Sequence, residues 1–293
     1  MSILSVIHGM GSTVLSNLFV TLPYPETQAG LSELTVIVTG SNTGLGFEAS
    51  QHLLRIGVGK LIMAVRNIGK GEKARSELLK STSRSSDSVE VWQLDMESYE
   101  SIKAFAHRAN TTLARLDVVL ANAGLWTSEF SLAEGNEKTI QVDVVAQVLL
   151  FLLLLPKLRQ SPFPGKFVIP NSALHYVASV KELTSNDNAS IFSLLNDSKK
   201  ANMTTRYYIA KLLILYAVRE LASQMKASGK PVVIINTPNP SYCKSGLLRE
   251  IESAAPPDFM ARTTEMGSRA LVHGVLAGPE SNGQYLTNCH VQT

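Results

Sequence analysis

The feature that most constrains this chain is a regular alternation of short, β-branched apolar runs with longer helical periods. Leu34 to Thr39 reads L-T-V-I-V-T and stops at Gly40, the mark of a buried strand closed by a turn. Lys60 to Val65, Val89 to Leu94, Asp117 to Ala121, Lys166 to Ile169 and Pro231 to Ile235 repeat the pattern, and Gln284 to Leu286 adds a short last run. Helical periods fall between them at Leu45 to Ile56, Gly69 to Lys80, Ser98 to Ala109, roughly Leu132 to Leu155, and Met203 to Ala227. Strands this apolar need cover on both faces, so the pattern predicts an α/β chain with a parallel sheet between helical layers. Right-handed crossovers make it a doubly wound sheet, with its site at the carboxyl ends of the strands. No repeat or low-complexity linker divides the 293 residues, so one domain is expected over 34–293, preceded by an N-terminal arm at 1–33.

Composition narrows the function. Hydrophobic residues make up 45% and charged residues 17%, enough to bury a large core. The net charge of +3 comes without a Lys/Arg block, so nucleic acid is not an expected partner. Cys243 and Cys289 are the two cysteines and neither sits in a ligand-spaced cluster. No metal site or disulfide framework is expected, and a reducing, cytoplasmic setting is. Met1 to Val20 is apolar but lacks a basic start, reading as a peripheral arm or weak surface anchor rather than a signal peptide. Val144 to Leu155, stopped by Pro156, is too short to span a bilayer and reads as a buried core helix, so no integral membrane span is expected.

Between the first strand and first helix lies Thr39-Gly40-Ser41-Asn42-Thr43-Gly44-Leu45-Gly46. Glycines let a backbone turn tightly and approach a pyrophosphate, while a helix N-terminus offers N–H groups and partial positive charge. The same spacing also serves a plain strand-to-helix turn. After the second strand, Ala64-Val65-Arg66-Asn67 carries no acid to accept from a ribose 2′-hydroxyl. Arg66, with Lys70 in reach, favours the 2′-phosphate of NADP(H) over NAD, unless both are ordinary solvated charges. Asp95, next to Met96 at the end of strand three, is placed to accept from an adenine amino group or to cap the next helix.

In Tyr207-Tyr208-Ile209-Ala210-Lys211 the i, i+4 spacing puts Tyr207 and Lys211 on one helix face, whereas Tyr208 pairs only with Leu212. An ammonium there is expected to draw the phenol down from about 10, toward the pH at which it exchanges a proton with a carbonyl. Ser172, after the fifth strand, is placed to polarise that carbonyl, or is a turn serine. His175 reads as loop packing or a pocket wall.

The set Thr39 to Gly46, Ala121-Asn122-Ala123-Gly124, Ser172, Tyr207-x-x-x-Lys211 and Asn239-Pro240, in this order, resembles the short-chain dehydrogenase/reductase family from about Thr35 to Tyr285. The segments at 18–25, 91–96, 206–212 and 261–269 look like a fungal, retinol-dehydrogenase-like branch that often serves secondary-metabolite pathways. The resemblance implies a Rossmann-type fold and an NADP-dependent oxidoreductase that reduces a carbonyl or imine of a bulky small molecule. Gly40, Gly44 and Gly46 would hold the pyrophosphate, and Asn122, Ala123 and Gly124 would border the adenosine ribose. Tyr207 would be the proton donor, Lys211 would bind the nicotinamide ribose and lower the tyrosine, and Ser172 would orient the substrate. Pro240, Tyr242 and Ser245 would flank the carboxamide. The long apolar helix and the Tyr207 helix would pair two copies as a homodimer.

Three departures stand out. Asp143 occupies the place of a family asparagine, where a buried carboxylate must be protonated, paired, or turned toward a cationic substrate. Ser241 replaces the glycine after Pro240, and Ala121 opens the usual Asn-Asn-Ala-Gly. Relatives also continue past the last strand, so the substrate-side wall is expected to be short at Thr293. The insert 176–205 is expected to form a substrate flap or a surface insertion. Asp143 and Ser241 keep a second class in view, a cyclase, isomerase or iminium reductase on the same scaffold, and a non-catalytic binding protein is a third. Trp126, Phe130, His175, Tyr176 and Phe259 point to a bulky apolar or aromatic substrate.

Overall fold

The structure is a computed structural model that describes residues 11–184, 190–250 and 256–292. Five-residue β1 (Thr35–Thr39) is buried along its whole length and forms the middle of the molecule. It is flanked by β2 (Lys60–Val65), then β3 (Val89–Gln93), on one side, and by β4 (Val118–Leu120) on the other. The short β5 (Leu132–Ala133) and β6 (Asn136–Glu137) form a separate hairpin. Beyond β4 the sheet continues with β7 (Lys166–Val168), β8 (Ile234–Asn239), β9 (Tyr285–Thr287) and β10 (His290–Val291). All neighbours are parallel except β10, which runs antiparallel to β9. Strand order therefore reverses between β1 and β4, which opens a crevice at their carboxyl ends.

The helices are α1 (Ser12–Phe19), α2 (Gly44–Arg55), α3 (Ile68–Thr82), α4 (Tyr99–Thr112), α5 (Lys138–Leu158), α6 (Ile191–Leu195), α7 (Met203–Ala227) and α8 (Thr264–Leu276). The period-2 alternation of the strands sorts them into two layers. Val36, Val38, Leu61 and Met63 point to the layer of α2, α3 and α8. Ile37, Ile62 and Val119 point to the layer of α4, α5 and α7, where Phe151 and Phe167 pack edge to face at 5.1 Å. Helix α5 is long and apolar enough to cross a membrane, yet Leu150, Phe151, Leu154 and Leu158 lie inside the domain, as a core helix does.

Three boundaries differ from the sequence reading. The long helix begins at Lys138 rather than near Leu132, because Glu134 and Gly135 take positive φ (52° and 79°) and form a two-residue hairpin turn. Glu137 then caps the helix, accepting from the Thr139 and Ile140 N–H groups. The helix also runs through Pro156 to Leu158, since a proline in the last turn removes a single hydrogen bond, to the carbonyl of half-exposed Leu152. Strand β8 begins at Ile234 rather than Pro231 and continues through Pro238. The N–H that Pro238 lacks would point beyond Val168, where β7 has ended.

The arm is docked. The Asn17 amide donates to the carbonyls of Tyr242 and Met260, and Arg262 donates to the carbonyls of Ser16 and Val20. Leu22 is fully buried against Ala270 and Cys289, and Arg269 donates to its carbonyl at 2.6 Å. Within the insert, Leu195 packs on Ile140, Val144 and Ile209, and Asn196 accepts from the Glu137 N–H while donating to the Gly135 carbonyl. The Ser185-Asn186-Asp187-Asn188 turn lies outside the described residues.

Candidate active site

The crevice is a groove of about 290 Å³ running from the glycine turn to Tyr207 and Lys211. Its floor needs glycine at two positions. Gly40 has φ 63°, and a Cβ there would meet the Ala123 Cα at 3.0 Å. A Cβ on Gly46 would lie 2.5 Å from the Gly40 carbonyl oxygen, so this glycine sets the approach of α2 to β1 without itself lining the groove. Asn42, Thr43, Gly44 and Leu45 do line it, whereas Ser41 is wholly buried behind them. Thr43 supplies no side-chain cap and the first turn of α2 holds no acid. The first N–H groups of α2 are thus left for an anion.

Opposite the turn, Asn122, Ala123 and Gly124 line the groove and are fixed from two sides. The Asn122 amide donates to the Thr39 carbonyl, and the Ala123 N–H to the Thr39 hydroxyl. From α5, Gln147 donates to the Ala123 carbonyl at 2.6 Å, and the Asp143 Oδ1 accepts from the Leu125 N–H at 2.8 Å. Asp143 sits in a π turn over Gln141–Val145, an extra-residue bulge of the kind that recurs at functional sites. It lies behind the groove wall. Its Oδ2 is 3.6 Å from Lys211 Nζ, so the cation it faces comes from its own chain. Burial pushes this carboxyl up, while Lys211 and the Leu125 N–H pull it back.

Helix α7 brings Tyr207 and Lys211 to the far end of the groove. Lys211 Nζ donates to the Pro170 carbonyl at 3.2 Å and lies 5.2 Å from the centre of the Tyr207 ring. The expected lowering of the phenol is reversed. Burial first, and the Asp143 carboxylate second, hold Tyr207 well above the ordinary tyrosine value. The ammonium meant to draw it down is shared with Asp143 and Pro170. Trp126 stacks on Tyr207, with centroids 4.4 Å apart and planes 4° from parallel, and meets Tyr208 edge-on.

Ser172 lies just outside the groove lining, and its neighbour Asn171 lines it. The Ser172 Oγ accepts from the Leu174 N–H at 3.2 Å, so the turn-serine reading holds for its lone pair. Its own hydrogen is donated to none of the described residues. His175 Nδ1 lies 2.6 Å from the Ser172 carbonyl, and its ring packs on Tyr176 and Tyr285, which anchors the turn.

At the other end, Arg66, Asp95 and Met96 line the groove but Lys70 does not. The Lys70 backbone N–H instead closes the Asn67 cap of α3. The cap of α4 is Ser98, and Asp95 Oδ1 accepts from the Glu97 N–H. The sequence reading missed Glu97, whose carboxylate holds Arg66 at 2.9 Å and Lys138 at 3.8 Å. It also missed Arg249 and Asn171. None of the three carries a local signal, because each reaches the groove only through the fold.

Pro240 and Ser245 line the groove as expected, but Tyr242 does not. Its hydroxyl donates to the Pro256 carbonyl, and its own carbonyl receives Asn17 and the Arg262 N–H, so it binds the arm to the loop. Ser241 has φ 68°, the conformation its family glycine accepts freely, and its hydroxyl is buried without a hydrogen-bond partner. Ser241→Gly is therefore expected to stabilise the fold by about 1 kcal/mol, seen as a higher urea midpoint at unchanged slope. A lower midpoint would show that the serine is held by more than this geometry reveals.

Residues 34–182 match the family model described as short chain dehydrogenase. The chain is 40% identical over 288 residues to the short chain dehydrogenase atnD of Emericella nidulans, covering 94% of this chain and 90% of that protein. It is 39% identical to the short chain dehydrogenase/reductase dmxR8 of a Cryptosporiopsis species, covering 95% and 87%. Among solved structures it superposes on salutaridine reductase from Papaver somniferum with TM-score 0.67 and 19% identity, covering 86% of this chain and 99% of that one. A short chain dehydrogenase from Shigella flexneri, complexed with NADP, gives TM-score 0.61 at 20% identity over 88% and 98%.

Proposed function

Since the chain belongs to the short-chain dehydrogenase family, and is thereby an oxidoreductase of a family that uses NAD(P), we propose that it is an NADPH-dependent reductase of a carbonyl or imine on a bulky small molecule, within secondary metabolism. The observation that carries this reading is one continuous groove with an uncapped helix N-terminus at one end and Tyr207 and Lys211 at the other. The residues fit the cofactor: a pyrophosphate would meet the α2 N–H groups, Gly40 and Gly44 would leave it room, Gly46 would keep α2 close behind them, and Asn122 to Gly124, Pro240 and Ser245 would border the remainder. When bound, the nicotinamide supplies hydride chemistry.

The chain's own residues do the rest. Tyr207 holds the proton for the substrate oxygen or nitrogen on a phenol that stays neutral at working pH. Ser172 donates its free O–H to the same atom. Lys211 binds the nicotinamide ribose and is held in place by Asp143 and the Pro170 carbonyl. Trp126 fixes the phenol ring and keeps water from its face. Exposed Leu152 on α5 and Tyr216 on α7 leave apolar surface for pairing two copies. The cyclase, isomerase or iminium-reductase reading rests on Asp143. Both oxygens of that group face its own chain, which supports the first reading over the second.

Arg66 is the proposed contact for the 2′-phosphate, and Glu97 its tether. In a fluorescence titration the wild type is expected to bind NADPH more tightly than NADH. Arg66→Ala is expected to weaken NADPH about tenfold, the loss of one charge-assisted hydrogen bond, and to change NADH by less than about twofold. An equal loss for both cofactors would remove Arg66 from this role.

A further inference from the structure

Helix α1 is docked with its polar side inward and its apolar side outward. Ser16 donates to Asn288 at 2.5 Å, and Asn17 donates to the carbonyls of Tyr242 and Met260 at 2.9 and 2.8 Å. Leu15, Leu18 and Phe19, which share a helix face, are 59%, 47% and 79% exposed. This inverts the arrangement of a helix that faces water. The exposed face continues into Val20 and onto Phe259, which is 71% exposed and next to the residue that receives Asn17.

The chemistry of the segment selects the occupant. Met1 to Pro25 contains no Lys, Arg, Asp or Glu, and Ile3, Leu4, Val6, Ile7 and Met10 precede α1. A protein partner is chosen through charge and hydrogen-bond complementarity. Here Ser16 and Asn17 are spent on the domain, so the outward face offers hydrocarbon alone. We infer that this face, formed by Leu15, Leu18, Phe19, Val20 and Phe259, docks the protein on a lipid surface. Ser16 and Asn17 tie the described residues of α1 along the domain surface, so the helix lies in the plane of the interface. Phe259 is one of the aromatics read from the sequence as pointing to a bulky substrate, so docking brings that side chain to the lipid.

The test is flotation of the full chain with neutral phosphatidylcholine vesicles, at low and at high salt. Binding that is insensitive to salt is expected, because the face carries no charge. Leu18→Ser together with Phe19→Ser should lower partition on the order of tenfold or more, with NADPH binding and thermal midpoint unchanged. A wild type that stays unbound overturns the inference. So does a double variant that floats as well as the wild type, or one that changes only the mass seen by light scattering, which would mean that a second copy covers the face. Vesicle binding gained only on deleting residues 1–10 would show the face covered by the chain's own start, and would overturn it too.

Discussion

Tyr207→Phe is expected to lower reductase turnover by roughly 10²- to 10⁴-fold, the contribution of a positioned general acid, while leaving NADPH affinity within about threefold. The ring, its Trp126 stack and its burial all survive this change, and only the transferable proton is lost. The raised phenol gives the pH dependence its sign. A neutral tyrosine is the acid that reduction needs, and raising its pKa extends the neutral form upward in pH. Reduction should therefore keep its rate through pH values near 10, where an ordinary tyrosine ionises. Oxidation needs the phenolate, so it should be slow at neutral pH and climb as the pH rises. A reduction rate that falls through neutral pH with the loss of a single proton would place the acid elsewhere, and so would an unimpaired Phe variant.

Asp143→Ala should cost about 3–5 kcal/mol of stability, the usual penalty for leaving a buried charge without its partner. Two groups lose their contact together, since Lys211 Nζ and the Leu125 N–H both face this carboxyl. Urea unfolding measures the loss. Asp143→Asn keeps an acceptor for Leu125 and is expected to recover part of it. Combining Asp143→Ala with Lys211→Met removes both members of the pair, so the double variant should unfold at higher urea than Asp143→Ala alone. If the two changes add, the ion pair does not operate. If Asp143→Asn instead changes the product at unchanged stability, the carboxylate belongs to the chemistry and the cyclase or isomerase reading returns.

The sheet was legible because buried parallel strands announce themselves as β-branched runs, and Val36 to Val38 with its glycine turn does so without help from the rest of the chain. Tyr207 and Lys211 were legible for a similar reason, since helical spacing alone puts them on one face. What stayed hidden is what distant segments do to each other. Asp143 and Lys211 are both visible as chemistry-bearing residues, but their pairing depends on where α5 crosses α7. Burial, and behind it the Asp143 carboxylate, is also why the tyrosine moves up instead of down. Glu97 gives no sign in sequence that it will tether Arg66. Trp126 reads as an aromatic beside a substrate, and only the fold turns it flat onto Tyr207. The hairpin at Leu132 to Glu137 was lost to a helical reading because the apolar period that starts at Ile140 was carried back over it, past the turn signal of Gly135-Asn136.

The strap over residues 16–22 sets an order on biosynthesis. Its partners include Tyr242, Met260, Arg262, Arg269 and Asn288, so each of these ties closes a loop of more than two hundred residues. A chain is made from its N-terminus, so this segment has none of these partners until the stretch from Tyr242 to Asn288 has been made. Until then its uncharged side chains travel bare, and Arg262 and Arg269 are not yet made. Closing the strap is therefore a late event in folding, because it needs the β8–β9 end of the sheet and α8 to be in place first.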